Sequence, residues 1–189
     1  MNAYDFVHLA LSAIGGRIEG KTKLQKTVYF LGVMSGCLED LGYRAHYYGP
    51  YSADVAEAMD RLVSLGFVNQ SVAGAGALDS RGFEVARYDF DLNEEGERVA
   101  KSKAERYPEE WQKIEEAAAR LKSVGDQDYM KLSVAAKTHF TLGQKKGPAT
   151  LREISDLASG FGWSVPLAEV KAGALLLQSL RLVDLQGSS

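Results

Sequence analysis

Residues 15–22 read GGRIEGKT and match the pattern G-x-x-x-x-G-K-T, whose backbone amides cradle nucleotide phosphates in some enzymes. Such a loop requires a buried β-strand before its first glycine and a helix after its last residue. Here residues 3–15 carry apolar side chains at helical spacing, and Asn2 is positioned to cap that helix. The match therefore predicts a turn and a helix start, and it argues against a nucleotide-binding α/β fold.

Two further helices follow in the pattern. The second is predicted over about 23–35, where Thr22 and Gln25 have the spacing of a capping box. A short strand is expected over 43–48, followed by a turn at Gly49-Pro50-Tyr51. The third helix is predicted from the N-cap Ser52 to about residue 65.

Two β-capable runs, 67–72 and 83–92, flank the glycine-rich residues 73–77 and predict a hairpin. Three helices, a short strand before the third and a hairpin after it form the order of a winged helix-turn-helix. The expected fold class is therefore mainly α with a small antiparallel β hairpin, and residues 1–92 form the predicted winged-helix domain.

The rest of the chain is predicted to be helical. Residues 93–125 are densely charged and read as a solvated helical connector. Residues 126–189 resemble a second helix-turn-helix-like unit, with Asp126 as the cap of its first helix, a capping box at Thr150 and a last helix that begins at Pro166.

Composition limits the function classes. The 22 Lys and Arg residues against 25 Asp and Glu residues give a net charge of -3, so any nucleic-acid-binding surface must be local. The single cysteine, Cys37, and the widely spaced His8, His46 and His139 offer no metal-binding pattern. We expect a cytoplasmic, non-enzymatic protein without a cofactor, a metal or a membrane partner, and homodimer formation is left open.

Several basic residues are candidates for contact with a nucleic-acid backbone. Lys21, Lys23 and Lys26 crowd the positive end of the second helix, which is unfavourable unless an anion such as a phosphate or an acidic partner lies nearby. Solvated lysines paired with local acids are the structural alternative. The complete candidate set is Arg17, Lys21, Lys23, Lys26, Arg81, Arg87, Lys145 and Lys146.

The third helix has an unusual outer face for a helix that reads DNA. Its outward positions carry Asp54, Glu57, Asp60 and Arg61, that is, three acids and one base. Affinity for a duplex depends on cations that neutralise phosphates, so this face would repel DNA. These four residues are the candidate contacts for a basic protein partner.

Three segments carry a resemblance to known sequences: GKTKLQKTVYFL at 20–31, HYYGPYS at 46–52 and LVSLGFV at 62–68. Together they resemble the YwgA-like family of prokaryotic winged-helix proteins, and the similarity extends to residues 135–140 and 162–163. The first two segments are also similar to the Panacea domain of antitoxins and proteolytic adaptors, in which a tryptophan usually precedes Y-G-P, where this chain has Tyr47 and Tyr48. The resemblance implies a regulator, an antitoxin-like protein or an adaptor.

Two functional hypotheses follow. The first is a DNA-associated transcriptional regulator that uses the basic residues at the start of the second helix and on the wing. The alternative is a protein-interaction adaptor or antitoxin-like inhibitor that uses the acidic third helix.

Overall fold

A computed structural model describes residues 1–73, 86–145 and 147–185. The chain is mainly helical with small antiparallel sheets, so the predicted fold class is confirmed. The elements of the first half are α1 (Ala3–Ala13), β1 (Arg17–Glu19), α2 (Lys21–Ser35), a turn of 3-10 helix (Leu38–Leu41), β2 (Arg44–His46), β3 (Gly49–Tyr51), α3 (Ala53–Ser64), β4 (Val68–Ala73) and β5 (Arg87–Leu92). The second half contains α4 (Glu94–Arg106), α5 (Pro108–Ser123), α6 (Tyr129–Gly143), α7 (Leu151–Ser159) and α8 (Leu167–Ser179).

One three-stranded sheet joins distant parts of the first half in the order β1-β5-β4. Both pairings are antiparallel, with Ile18 opposite Phe90 and Val68 opposite Leu92. The sequence did not predict β1, which lies inside the GGRIEGKT stretch. Because α1 precedes this stretch and no strand pairing among the described residues is parallel, the geometry of a nucleotide-binding loop is absent from this part of the chain.

The predicted capping box at Thr22 and Gln25 is wrong. Helix α2 begins two residues earlier than predicted, at Lys21, and its N-cap is Gly20, whose φ of 88° favours glycine. The backbone N–H of Gly20 donates to the carbonyl of Tyr88 in β5 at 3.0 Å. The sheet therefore determines where α2 starts. The side chain of Gln25 does not cap the helix and contacts Ser52 instead.

The region before α3 also differs from its prediction. A single strand was expected over 43–48, but β2 and β3 pair with each other, and the turn lies at Tyr47 and Tyr48. The predicted turn at residues 49–51 is a strand. His46 lies opposite Gly49, whose φ of 104° lies in the left-handed region that favours glycine.

Most predicted helix caps are confirmed. The side chain of Asn2 accepts from the backbone N–H of Asp5, that of Ser52 accepts from Val55, and Thr150 forms a complete capping box with Glu153. The predicted cap at Asp126 is wrong, because Asp128 accepts from the N–H of Lys131 at the start of α6.

Helix α2 lies between two hydrophobic clusters. Leu24, Val28 and Leu31 belong to the larger cluster, which gathers residues of α1, α3, the sheet and α5. Tyr29 and Phe30 belong to a second cluster with residues of α6 and α8. This position explains why α2 has buried residues around its whole circumference along its central turns.

The charged segment 93–125 is not solvated along its whole length. Ile114, Ala117 and Ala118 form a narrow buried stripe on α5 that belongs to the larger cluster. Two of these three side chains are alanines, which leave a weak hydrophobic pattern among many charges. The boundaries predicted at residues 92 and 125 remain predictions.

A buried hydrogen-bond network fixes α2 to the start of α3. The Gln25 side chain donates from Nε2 to the Ser52 carbonyl at 2.8 Å and accepts from the Ser52 backbone N–H at 3.0 Å. The Ser52 hydroxyl donates to the Leu41 carbonyl at 2.5 Å and also caps α3. We call this network the Gln25–Ser52 clamp, and every polar atom named in it is satisfied.

We predict that Gln25→Leu lowers the free energy of unfolding by about 1–3 kcal/mol, because the buried N–H of Ser52 loses its acceptor. The Ser52 carbonyl keeps a second donor, the N–H of Ala56 at 3.3 Å, which limits the loss. Urea unfolding measures the change. The matched control is Gln112→Leu on the exposed face of α5, where we expect a change within about 0.5 kcal/mol. Equal effects of the two variants would contradict a structural role for the clamp.

Candidate functional site

The three candidate lysines at the start of α2 have different environments. Lys21 is exposed, and its Nζ lies 4.7 Å from the ring centroid of Tyr88. Lys23 is half-buried, and its Nζ lies 2.8 Å from Oδ1 of Asp126, the residue expected to cap α6. Of the three, Lys21 alone combines exposure with the absence of a carboxylate partner within the described residues.

Lys26 does not form the surface contact that was predicted for it. Its side chain is 2% exposed, and its ammonium group donates to the carbonyl of Pro50 in β3 at 2.6 Å. Burial and, to a smaller extent, the charge of Lys137 together lower the pKa of Lys26 to about 8. The sequence could not reveal this, because lysine is rarely buried and its acceptor lies 24 residues away.

The candidate arginines on the sheet pair with neighbouring acids. Arg87 donates from Nε and Nη2 to the two carboxylate oxygens of Asp89, each at 2.8 Å. A second cation, Arg17, lies 3.5 Å from the Glu19 carboxylate and 3.7 Å from that of Asp91. These pairs compensate most of the positive charge along β1 and β5.

The remaining basic candidates do not extend a positive surface in the described part of the chain. Lys145 donates to Glu153 at 2.7 Å, and its hydrogen bond is the largest cause that lowers the pKa of Glu153 to about 2. Arg81 and Lys146 lie outside the described residues. Arg17, Lys23, Arg87 and Lys145 therefore each have a carboxylate partner within the chain.

The outward face of α3 has the residues that the sequence predicted. Asp54, Glu57, Asp60 and Arg61 are all exposed, whereas Met59 and its apolar neighbours on the same helix are buried. The guanidinium of Arg61 lies 4.8 Å from the ring centroid of a tyrosine in α1 and is drawn toward that helix. We call Asp54, Glu57 and Asp60 the acidic face.

Negative charge continues from α3 onto the neighbouring 3-10 helix. The 3-10 helix carries the exposed Glu39, and Gly42 is its C-cap. An added Cβ at Gly42 would lie 2.7 Å from the carboxylate of Asp54. The acidic face therefore begins directly beside the end of this short helix.

A cleft of about 250 Å³ separates the start of α2 from the β2–β3 hairpin and α3. Its lining includes side chains from all three elements, among them Lys21, Lys26, Tyr48, Tyr51 and Asp60. The sequence did not predict this cleft, because residues of the hairpin and of α2 meet only through the tertiary fold.

His8, which is buried, and His139, which is partly buried, have structural contacts. His8 has its Nε2 2.8 Å from the Gly96 carbonyl and stacks on Phe67, and burial lowers its pKa to about 4. His139 has its Nδ1 2.8 Å from the hydroxyl of Tyr29. Within residues 1–73, 86–145 and 147–185, no three His, Cys, Asp or Glu side chains gather as a metal site would require. In the same ranges, no helix combines the length and apolar character needed to cross a bilayer.

Comparison with protein-family models and with curated proteins gave no match.

We predict that the contribution of Lys26 to the free energy of unfolding becomes more favourable to folding between about pH 8 and about pH 9.5. Over this range the folded protein releases the Lys26 proton, whereas the unfolded chain, with a pKa near 10.5, still holds it, and alkali therefore favours folding. Relative to Lys26→Met, the unfolding free energy of the wild type should rise by about 1 kcal/mol. Urea unfolding across this range measures the difference. The exposed-lysine variant Lys101→Met should follow the wild-type pH profile, and parallel profiles for all three proteins would contradict the prediction.

Proposed function

We propose that this chain is a non-enzymatic winged-helix protein that acts as a protein-interaction adaptor or antitoxin-like inhibitor. Its acidic face binds a basic surface of the partner. The observation that carries this proposal is the exposure of Asp54, Glu57 and Asp60 together on one face of α3.

The order of elements supports the winged-helix part of the proposal. Helices α1, α2 and α3 precede the β4 and β5 strands, and β1 adds to β5 at the edge of the same sheet. In a winged helix-turn-helix that binds DNA, the third helix enters the major groove. Here that helix presents carboxylates, which repel phosphates but complement a basic protein surface.

The pairing of the basic candidates supports the same conclusion. Arg17, Lys23 and Arg87 each lie near a carboxylate within the chain, so a DNA backbone would have to compete with these internal acids. Phosphate contacts supply much of the affinity of proteins for DNA. The described surface therefore favours a protein partner over a duplex.

A DNA-associated regulator is the second candidate function. It is favoured by Lys21, which is exposed at the first turn of α2 and follows the N-cap Gly20, because the amides of such a turn can receive a phosphate. Both candidates are expected to act in the cytoplasm. Homodimer formation is compatible with either.

We predict opposite effects of charge reversal on the two kinds of binding. The triple variant Asp54→Lys, Glu57→Lys and Asp60→Lys should weaken a complex with a basic protein by about tenfold or more, because complementary charges become repulsive. The same variant should bind random-sequence duplex DNA more tightly at low salt. Partners recovered from cells with the wild-type protein are purified and their affinities measured, and gel shifts at several salt concentrations report DNA binding.

The control is the triple variant Glu109→Lys, Glu115→Lys and Glu116→Lys on α5, which makes the same change in net charge at exposed positions away from α3. A purified basic partner that keeps its affinity for the control and loses it for the α3 variant supports the adaptor. Wild-type protein that shifts a duplex at low salt, with no partner sensitive to the α3 reversal, would replace the adaptor by the DNA-associated regulator.

A further inference from the structure

The cleft between α2, the β2–β3 hairpin and α3 contains an uncompensated buried cation. Lys26 is part of its lining although the side chain is only 2% exposed. An ammonium group has three N–H donors, and among the described residues the carbonyl of Pro50 is the one acceptor that Lys26 reaches. No described carboxylate lies within ion-pair distance of it. A buried charge in such a position is unfavourable unless a counter-charge joins it.

A second amine increases this excess of positive charge. An added Cβ at Gly49 would lie 3.5 Å from Nζ of Lys26 and 3.1 Å from Cγ of Lys137, so both lysines pack against the same glycine. Their mutual repulsion contributes to the lowered pKa of Lys26. Burial lowers the pKa of Lys137, and the opposing charge of Glu169 lies beyond ion-pair distance.

The first turn of α2 adds hydrogen-bond donors at the same cleft. Lys21 and Thr22 belong to the lining, the N-cap Gly20 offers no side-chain acceptor, and the first turn contains no acidic residue. The positive end of the helix dipole is therefore not compensated by an acid of its own turn. The buried ammonium group of Lys26 and the first turn of α2 both favour an anion in this cleft.

We propose that this cleft binds a small organic anion through its carboxylate or phosphate group, with Lys26 and the first turn of α2 as the anion-binding groups. Tyr48 and Tyr51 provide aromatic walls for the body of the ligand. The carboxylate of Asp60, on the α3 side of the cleft, repels the anionic group and so orients it toward Lys26. A volume of about 250 Å³ limits the ligand to the size of a small metabolite.

The proposed anion site does not rest on the adaptor function or on the DNA-associated function. Its test is a titration of ¹³C-labelled full-length protein with inorganic phosphate, acetate and benzoate, each matched for ionic strength with sodium chloride. The Lys26 Cε signal reports occupancy by NMR. We expect at least one anion to give a saturable shift and to raise the pKa of Lys26 from about 8, because a bound anion stabilises the ammonium form.

The probes distinguish the chemistry of the anionic group. Saturation by phosphate alone assigns a phosphate-bearing ligand, and saturation by acetate and benzoate assigns a carboxylate. Tighter binding of benzoate than of acetate indicates that the aromatic walls contribute.

Two variants separate binding from folding. Lys26→Met should weaken binding at least tenfold, measured from the Lys21 Cε signal because this variant lacks Lys26, and the thermal transition of the variant shows whether it remains folded. Lys21→Met changes an exposed residue and should weaken binding severalfold in a protein of normal stability. The control Lys101→Met, on α4, should bind like the wild type. Shifts that match those caused by sodium chloride, or that do not respond to Lys21→Met and Lys26→Met, would overturn the proposal.

Discussion

The acidic face and the cleft both depend on the Gln25–Ser52 clamp. One side-chain amide satisfies the N–H and the C=O of a single buried residue, and that residue also caps α3. The clamp therefore sets the position of α3 relative to α2 through polar geometry as well as through apolar packing. The acidic face and the cleft share this requirement, because both are built on the relative position of these two helices.

Local signals in the sequence predicted the helices well. Asn2, Ser52 and Thr150 cap the helices they were expected to cap, because capping depends on residues within a few positions of each other. Strand β1 was missed, since it has three residues and Ile18 is the buried one among them. The cap of α2 was misassigned for a related reason, because the N–H of Gly20 is fixed by β5, almost seventy positions later.

The sequence predicted the acidic face of α3, but it did not predict which basic residues are paired with acids. The acidic face followed from the periodicity of α3, whose outward side chains meet solvent whatever the rest of the fold does. The state of the basic residues depended on partners distant in the chain, as in the pairs Lys23 with Asp126 and Arg17 with Asp91. Charge counted along the sequence does not distinguish a free cation from a neutralised one, and Lys26 shows the same limit in the interior.

The two-sided burial of α2 has a consequence for shortened forms of the chain. Tyr29 and Phe30 are covered by residues of α6 and α8, whereas the opposite side of α2 is covered by α1, α3 and α5. A fragment that stopped after β5 would leave an aromatic strip of its central helix open to water. Such a fragment would be prone to self-association, so an isolated N-terminal half is a poor substitute for the intact chain in solution studies.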